Sequence, residues 1–200
     1  SGRLLISFES DIIGVASFCT VFLRCVYWCW SDQKRCRRAD ARRMAYYKAM
    51  SEAPKPSIAV VEDLDYPQSI GAYWGEVNTT IHKGFGMSGA LTNGVMRDLG
   101  DLAPDFPVIA GSIGPSHGFV HVRSVNEPVC VMGLSVSPGD LVHADRHGAV
   151  VIPTEVINLL NVAIKKMQET EQLILGPARG ENFDFAAFEE AWAAFEKSRV

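Results

Sequence analysis

The 200-residue chain lacks most of the features that assign a protein to a class directly. It contains no internal repeat, low-complexity tract, Walker-type phosphate loop, dinucleotide-binding fingerprint or Gly-x-Ser-x-Gly motif. These absences argue against repeat proteins, nucleotide-binding folds and serine hydrolases of the α/β type. The formal net charge of −4 gives no general attraction to nucleic acid, so we expect no nucleic-acid partner.

Cysteines are nearly absent from most of the chain and are unevenly placed. Four of the five cysteines lie between Cys19 and Cys36, and Cys130 stands alone. An odd count without a repeating framework argues against a disulfide scaffold and favours a reducing compartment, so we expect a cytoplasmic protein. Cys25, Cys29 and Cys36 could be arranged around zinc, but no fourth ligand has a suitable spacing. We expect Cys130 in the core.

Long apolar runs are also rare, and residues 12–30 form the one candidate membrane segment. Arg24 near its middle would cost about 2.5–3.5 kcal/mol on insertion scales. No small-residue cleavage site of the signal-peptide type follows the segment. A pair of buried strands explains the run better than a membrane anchor does, so no membrane partner is expected.

What is present has the composition of a globular domain, with 48% hydrophobic and 21% charged residues. The basic run over residues 35–43 could be a nucleic-acid patch, but we interpret it as a solvated loop and first helical turn. Alternating and helical patterns predict the elements of the first half. They are a helix ending near Ser51, a buried strand over 57–62, a helix over 76–85 and a strand over 87–91.

The second half changes from strands to helices. Short apolar runs between turn signals predict hairpins from Phe106 to Pro153. Thr154 is predicted as the N-cap of a long helix that Gly176-Pro177 ends. A second helix over about 184–197 carries an aromatic stripe, which is typical of a packing or subunit interface. The stripe consists of Phe185, Phe188, Trp192 and Phe195.

The most informative segment ends in Arg97-Asp98, twenty-one residues after an acidic turn at Gly75-Glu76. Arginine is a planar donor suited to a carboxylate or an enolate, and carboxylates are hard ligands for Mg²⁺ or Mn²⁺. These residues could form a site for a small oxo-acid. They could equally form a solvated turn with a surface ion pair worth under about 1 kcal/mol.

Histidines supply further candidates. His143, Asp145 and His147 alternate, so a strand would point all three to one side, as in a metal triad. They also approach a glycine turn, where polar side chains are normally solvated. Three other histidines are candidates for substrate contact, and Lys83 is interpreted as a solvated helix residue. These histidines are His82, His117 and His121.

The order of several short motifs resembles one known family. The motifs are Gly75-Glu76, Asn-Gly-Val-Met-Arg-Asp at 93–98, Phe-Pro-Val at 106–108, Val-Ser-Pro-Gly-Asp-Leu-Val at 136–142 and Asp-Arg-His-Gly-Ala-Val-Val-Ile-Pro at 145–153. They are similar to those of the 4-hydroxy-4-methyl-2-oxoglutarate aldolases, which share a fold with the regulator of ribonuclease E activity A. The similarity runs from about Ala39 to Glu171.

The resemblance implies a compact α/β fold of the swivelling β/β/α kind with C-terminal helices. It places an α/β domain at residues 39–175 and a helical extension, expected to contact another subunit, at 176–200. A homotrimer or a dimer of trimers is implied, with active sites in clefts between subunits. Residues 1–38 do not match the usual family start, as a truncation, an unusual clade or an altered segment would explain.

The resemblance also implies roles for individual residues. Asp98 matches the carboxylate that binds the divalent metal, usually Mg²⁺, and Glu76 matches an acid that reaches the metal through water. Arg97 matches the arginine that contacts the pyruvyl group and its enolate. The backbone amides of two further residues are implied to bind the substrate carboxylate, and a third residue to reach the neighbouring subunit's site. These are Val77 and Asn78 for the carboxylate, and Glu171 for the neighbouring site.

The implied activity is that of a metal-dependent class II aldolase. It would cleave a 4-hydroxy-2-oxo acid to pyruvate through an enolate, and could decarboxylate oxaloacetate through the same enolate. One alternative is a non-catalytic regulator that binds a protein such as a ribonuclease. Another is a different metal-dependent lyase or hydrolase with a pocket shaped by Tyr73, Trp74, His117 and Arg123.

Two departures from the family pattern bear on the site. Asn93 stands where the family usually has Asp, which could weaken the support of Arg97 or simply leave a turn residue. The expected Asp-rich turn is here Asp-Arg-His-Gly at 145–148.

Overall fold

A computed structural model describes residues 15–18, 21–27 and 33–199, with side chains from residue 40 onward. The described strands and helices follow in chain order. They are β1 (Val15–Phe18), β2 (Val21–Tyr27), α1 (Gln33–Glu52), β3 (Ser57–Asp63), β4 (Ala72–Trp74), α2 (Glu76–Gly84), β5 (Met87–Thr92), β6 (Val95–Met96), β7 (Val108–Ile109), β8 (Ser112–Ile113), β9 (Val120–Val125), β10 (Val129–Val131), β11 (Leu134–Val136), β12 (Leu141–Asp145), β13 (Gly148–Ile152), α3 (Ile157–Ala178) and α4 (Phe185–Ser198).

The central sheet has five strands in the order β7-β5-β3-β2-β9. The first four are parallel, and β9 is antiparallel to β2. Parallel neighbours need crossover connections, which α1 supplies between β2 and β3. A smaller parallel sheet has the order β4-β6-β8. In the chain, α2 follows β4 and Arg97 follows β6.

Strand β3 is buried on both faces, which explains its continuous apolar run. Ala59 and Val61 belong to a first cluster, which includes residues of α1, β4 and β9. Ile58 and Val60 belong to a second cluster, which includes residues of the β10–β13 hairpins. The first cluster includes Tyr46, Met50, Trp74, Phe106 and Val122, and the second includes Leu91, Val129, Val131, Val136 and Val142. Helices, central sheet and hairpins therefore form successive layers, which confirms the predicted β/β/α class.

Residues 12–30 contain two strands, as predicted, but these strands do not pair with each other. Strand β1 pairs with β12, whereas β2 pairs with β3 and β9, so the two strands belong to different sheets. The basic run at 35–43 is not a loop, because α1 begins at Gln33. Among the described residues, no helix has the length and apolarity needed to cross a membrane. The three cysteines that were considered for a zinc site lie outside the residues whose side chains are described: Cys25, Cys29 and Cys36.

The contacts divide the chain into a unit that ends at Thr154 and a unit from Glu155 onward. At the boundary, a 3₁₀ turn over Thr154–Val156 precedes α3, so Thr154 is not the N-cap. Helix α3 also continues through Pro177 to Ala178, because a proline this close to the helix end breaks few hydrogen bonds. Helix α4 packs on α3 and begins as predicted, with Asp184 accepting a hydrogen bond from the Ala187 amide (2.8 Å).

Candidate active site

Arg97 and Asp98 follow β6, the central strand of the small parallel sheet. The Arg97 amide donates to the Trp74 carbonyl at the end of β4 (2.8 Å). Because parallel strands end at the same edge of a sheet, the residues after β6 lie beside those after β4. The structure thus brings Arg97-Asp98 next to Gly75-Glu76.

Asp98 has an unusual backbone and a capping side chain. Its φ of 57° lies in the left-handed region, which is uncommon for a residue other than glycine and is often found at functional sites. Its Oδ2 accepts a hydrogen bond from the Glu76 amide (3.2 Å) at the start of α2. The N-cap of this helix is Gly75, which has no side chain, so a carboxylate from another element takes the capping role.

Arg97 is paired with its neighbour rather than extended into solvent. Its Nη1 lies 2.8 Å from Oδ1 and 2.7 Å from Oδ2 of Asp98, and both side chains are 26% exposed. Its Nε is buried and has no hydrogen-bond partner in the described part of the chain. Since a guanidinium carries five N–H donors, the pairing leaves donors for a ligand. Both members of this ion pair are partly exposed.

Gly75 is required by space at this point. A Cβ at Gly75 would lie 2.5 Å from Oδ2 of Asp98, and 3.1 and 3.2 Å from Cγ and Cζ of Arg97. Its φ of −164° is extended backbone, which any residue can adopt. The glycine is therefore needed because Asp98 and Arg97 pack directly against its Cα.

The first turn of α2 offers amides to an anion. The Thr79 amide makes the first bond of the helix, to the Gly75 carbonyl (3.0 Å), so the amides of Val77 and Asn78 precede it. Amides at a helix N-terminus favour bound carboxylates and phosphates. The Asn78 side chain donates to the Tyr73 carbonyl, which ties the turn to β4.

The donor set fits a hard divalent cation held partly by substrate. No group of three or more His, Cys, Asp or Glu side chains within the described residues is arranged to hold an ion. Mg²⁺, however, is commonly bound by one or two carboxylates together with waters and substrate oxygens. A carboxylate has about four lone-pair positions, so Asp98 keeps an acceptor position beside its contacts with Arg97 and the Glu76 amide. The Glu76 side chain is exposed next to it.

Asn93 is neither an exposed turn residue nor a partner of Arg97. It is 5% exposed, its Oδ1 accepts from the Asp63 amide (2.7 Å) and its Nδ2 donates to the Asp63 carbonyl (3.1 Å). Its amide thus joins the ends of β5 and β3, and an aspartate could not supply the second bond. Burial raises the pKa of the neighbouring Asp63 carboxyl.

His82, one of the candidates for substrate contact, is fully buried. Its Nε2 lies 2.7 Å from the Tyr46 hydroxyl and its Nδ1 lies 2.5 Å from the Asn78 carbonyl. Burial lowers the pKa of His82 to about 4, so the ring is neutral at pH 7. In that state Nδ1–H donates to the Asn78 carbonyl, and Nε2 accepts from the tyrosine.

The other two histidine candidates lie elsewhere in the first unit. His117 is exposed in the loop between β8 and β9, and His121 is half-buried on β9. Burial and the nearby charge of Arg43 lower the pKa of His121. Among the hydrogen bonds and ion pairs of the described residues, none joins either ring to Arg97 or Asp98.

The alternating triad does come together, on the β12–β13 hairpin. His147 Nδ1 lies 3.1 Å from Asp145 Oδ2, and His143 Nε2 lies 4.0 Å from the same oxygen. Hydrogen bonds from His147 lower the pKa of Asp145. These side chains form a hydrogen-bonded turn. No group of three His, Cys, Asp or Glu side chains in the described part of the chain, this one included, is arranged to hold a metal ion.

Three further predictions have mixed outcomes. Cys130 is exposed on β10, so its core placement is wrong: Val129 and Val131 occupy the inward positions of this strand. Lys83 lies at the surface, 3.9 Å from Asp105, as expected of a solvated helix residue. Glu171 is exposed on α3, in the second unit.

The residues of the alternative pocket differ in their exposure. Of the alternative set, Trp74 is fully buried and Arg123 is exposed on β9. Sequence reasoning missed Thr79, which is buried in α2 and accepts a hydrogen bond from the Ala103 amide. A threonine within a short helix gives no pattern that would single it out.

Comparisons with known proteins agree with this fold. A family model described as "RraA-like: Aldolase/RraA" matches residues 28–151. Protein DlpA of Legionella pneumophila is 25% identical over 75% of this chain and 25% of its own length. A putative 4-hydroxy-4-methyl-2-oxoglutarate aldolase of Halalkalibacterium halodurans is 28% identical over 66% of this chain and 64% of its own.

The solved structures show the same fold. RraAS2 of Streptomyces coelicolor, described as an unusual member of the RNase ES inhibitor RraA family, superposes with a TM-score of 0.56. It is 20% identical, and the match covers 80% of this chain and 78% of that one. The chain spans less than two thirds of the length of the curated relatives above. With the family model matching more than half of its residues, the chain belongs to the RraA-like family, which includes aldolases and RraA inhibitors.

Proposed function

We propose that this protein is a divalent-metal-dependent carbon–carbon lyase, a class II aldolase. Its substrate would be a 4-hydroxy-2-oxo acid of the 4-hydroxy-4-methyl-2-oxoglutarate type, cleaved to pyruvate, and oxaloacetate would be decarboxylated at the same site. The observation that carries the proposal is the joining of Asp98, in its left-handed conformation, to Arg97 and the free end of α2. The relative named as a putative aldolase supports the same class.

The residues present can bind and orient such a substrate. The amides of Val77 and Asn78 would bind its carboxylate, and Arg97 would donate to the oxygen on which enolate charge develops. Mg²⁺ or Mn²⁺, held by Asp98 and through water by Glu76, would supply Lewis-acid chemistry when bound. No lysine is needed to form a Schiff base, and Lys83 is paired at the surface instead.

The bond changes of the reaction balance without a redox partner. A base, a water held by Glu76 or Glu171, takes the proton of the C4 hydroxyl. The C3–C4 bond breaks, its electron pair enters the pyruvate enolate, and the C4 carbon becomes the carbonyl of a second oxo-acid. The enolate then takes a proton at carbon to give pyruvate.

We further propose an oligomer in which Glu171 serves the site of a neighbouring subunit. RraA-like proteins commonly form oligomers, and a homotrimer or a dimer of trimers would suit this chain. The exposed aromatic residues of α4, Phe185 at 72% and Trp192 at 46%, support a subunit contact within residues 176–200. The odd cysteine count supports a cytoplasmic location.

The direct test is pyruvate release from 4-hydroxy-4-methyl-2-oxoglutarate and from oxaloacetate, with Mg²⁺ or Mn²⁺ and again with EDTA. We expect metal-dependent turnover, and a loss of about 100-fold or more in kcat/KM for Arg97→Ala and Asp98→Ala, because each removes charge stabilisation at the reacting atoms. Circular dichroism and sedimentation check that both variants keep their fold and assembly.

Two controls make the result specific. Oxaloacetate decarboxylates slowly alone and faster with free metal, so the Arg97→Ala protein is the blank. Arg123→Ala removes an exposed arginine on β9 and should leave turnover unchanged. Loss of activity in this variant alone would favour the alternative pocket. A folded protein without any turnover would favour a non-catalytic regulator of the ribonuclease-inhibitor type.

A further inference from the structure

Thr79 is the one fully buried side-chain hydroxyl described in the first turns of α2, and it makes contacts in two directions. Its Oγ1 lies 3.0 Å from the Gly75 carbonyl and 3.0 Å from the Glu76 carbonyl, to either of which it can donate. It also accepts a hydrogen bond from the Ala103 amide (3.0 Å). One hydroxyl therefore links the start of the helix to a segment of chain beyond Asp98.

The segment from Asp98 to Ala103 is attached to α2 at both of its ends. At one end, Asp98 Oδ2 accepts from the Glu76 amide (3.2 Å), and at the other the Ala103 amide donates to Thr79. Residues 99–101 between these ends are exposed. An exposed stretch has little packing to hold it, so the two attached ends determine its path.

This attachment bears on the unusual backbone of Asp98. A left-handed φ in a residue other than glycine persists only where the surroundings hold it. The Asp98 carbonyl accepts from the Asp101 amide (2.9 Å), which forms a turn that leads directly to Ala103. Beyond Ala103, the buried Phe106 stacks at 6.1 Å on Trp74 and keeps the chain in the core.

We infer that Thr79 is a positioning residue for Asp98: its hydroxyl fixes the return of the 98–103 turn and so holds the Asp98 carboxylate over the start of α2. The inference rests on the proposed function, in which Asp98 binds the divalent cation. Thr79 itself touches neither substrate nor cation, since it is buried behind the first turn.

The test compares three single substitutions. Thr79→Val removes the hydroxyl and keeps the branched shape, whereas Thr79→Ser keeps the hydroxyl. Thr80→Val makes the same change at the next residue, which is exposed. Mn²⁺ binding to the metal-free protein is measured by electron paramagnetic resonance, and hydrogen exchange of the Ala103 amide by NMR or mass spectrometry.

For Thr79→Val we expect at least tenfold weaker Mn²⁺ binding, at least tenfold faster exchange at Ala103, and a raised metal requirement for turnover. Thr79→Ser and Thr80→Val should stay within twofold of the parent in all three. If the valine variant does not fold, Thr79→Ala carries the same expectations without adding a methyl group at the hydroxyl position.

The outcomes separate this inference from the proposed function. A Thr79→Val protein that is less stable but binds Mn²⁺ as the parent does would overturn the inference alone, because Thr79 would then have a structural role only. A parent protein that neither binds Mn²⁺ nor releases pyruvate would overturn the proposed function and the inference with it.

Discussion

At the scale of the residue, Gly75 imposes the tightest requirement on the candidate site. Because a Cβ there would lie 2.5 Å from Asp98 Oδ2, Gly75→Ala must displace the carboxylate, the Arg97 side chain or both. We expect the alanine variant to keep its fold and to lose about 100-fold or more in kcat/KM for pyruvate release, as misplaced reacting groups do. Steady-state kinetics at saturating Mg²⁺ measure the loss.

Gly84→Ala is the matched control for this substitution. Gly84 ends α2, the same helix that Gly75 precedes, and a Cβ at Gly84 would have no heavy atom within 4 Å. Its alanine variant should therefore match the parent in activity. Equal activity of Gly75→Ala and the parent would contradict the assigned role of the Asp98 and Arg97 pair.

The residues of the site differ in how far the sequence predicts them. Arg97, Asp98 and Glu76 could be grouped beforehand, because motif order and spacing carry that information. The reason for Gly75 could not, since it depends on how closely β4 and β6 approach. Asn93 shows the same limit. The sequence indicates a turn residue, but both polar atoms of its side chain form hydrogen bonds with the backbone of Asp63, thirty residues away.

At the scale of the element, α2 is held to the core by His82. Its neutral ring lies against Trp74, with the ring centroids 4.5 Å apart, and bonds to Tyr46 and the Asn78 carbonyl. Burial lowers the pKa of His82 from 6.5 to about 4. The folded state therefore binds a proton less readily than the unfolded state does, and this contribution to stability is lost as the pH falls from 6.5 through 4.

The parent should accordingly lose up to about 3 kcal/mol of unfolding free energy from this group between pH 7 and pH 4. His82→Gln should be less stable at pH 7 but should lose less over the same range, because glutamine does not titrate. Urea unfolding at several pH values measures both. His117→Gln, at an exposed histidine, should keep the parent's pH dependence. An unchanged acid slope in His82→Gln would refute the assignment.

Periodicity predicted the elements of the first unit well. Strand β3, helix α2 and strand β5 lie within two residues of their predicted bounds, because each has a clear apolar pattern between Pro and Gly residues. The ends of α3 were less predictable. A 3₁₀ turn replaces the expected cap at Thr154, and Pro177 lies inside the helix, since local signals only bias where a helix stops.

At the scale of the whole molecule, the proposed oligomer has a consequence for mixed assemblies. If Arg97 and Glu171 of different subunits form one site, then Arg97→Ala and Glu171→Gln proteins are each inactive but complement one another. Random mixing in equal amounts should restore about a quarter of the parent activity, because one interface in four then carries both wild-type residues. Pyruvate release after co-refolding measures it.

The controls for mixing are the two variants alone and a mixture in which one protein carries both substitutions. The double variant mixed with either single variant should stay inactive. An active Glu171→Gln protein would remove Glu171 from the proposed site and leave the roles of Arg97 and Asp98 untouched. Complementation that fails although sedimentation shows mixed assemblies would place Glu171 in the site of its own subunit.

The layered arrangement of the first unit was predictable only through resemblance. Apolar patterns locate strands, but they do not state that β1 joins β12 or that β2 joins β3 and β9. Those pairings arise between residues far apart in the chain. The inward and outward sides of β10 likewise depend on which layer covers the strand, which is why Cys130 could not be placed correctly.

Because β3 is buried on both faces, burial alone does little to fix its register against the neighbouring strands during folding. A slip of one residue would exchange Ile58 and Val60 with Ala59 and Val61, and all four are aliphatic, so apolar burial alone discriminates weakly against the error. The two hydrogen bonds between the Asn93 side chain and the Asp63 backbone form only when β3 and β5 are correctly aligned. In a slipped chain the Asn93 side chain and the Asp63 backbone would be buried without their hydrogen bonds. A single amide side chain therefore favours the correct alignment of β3 with β5.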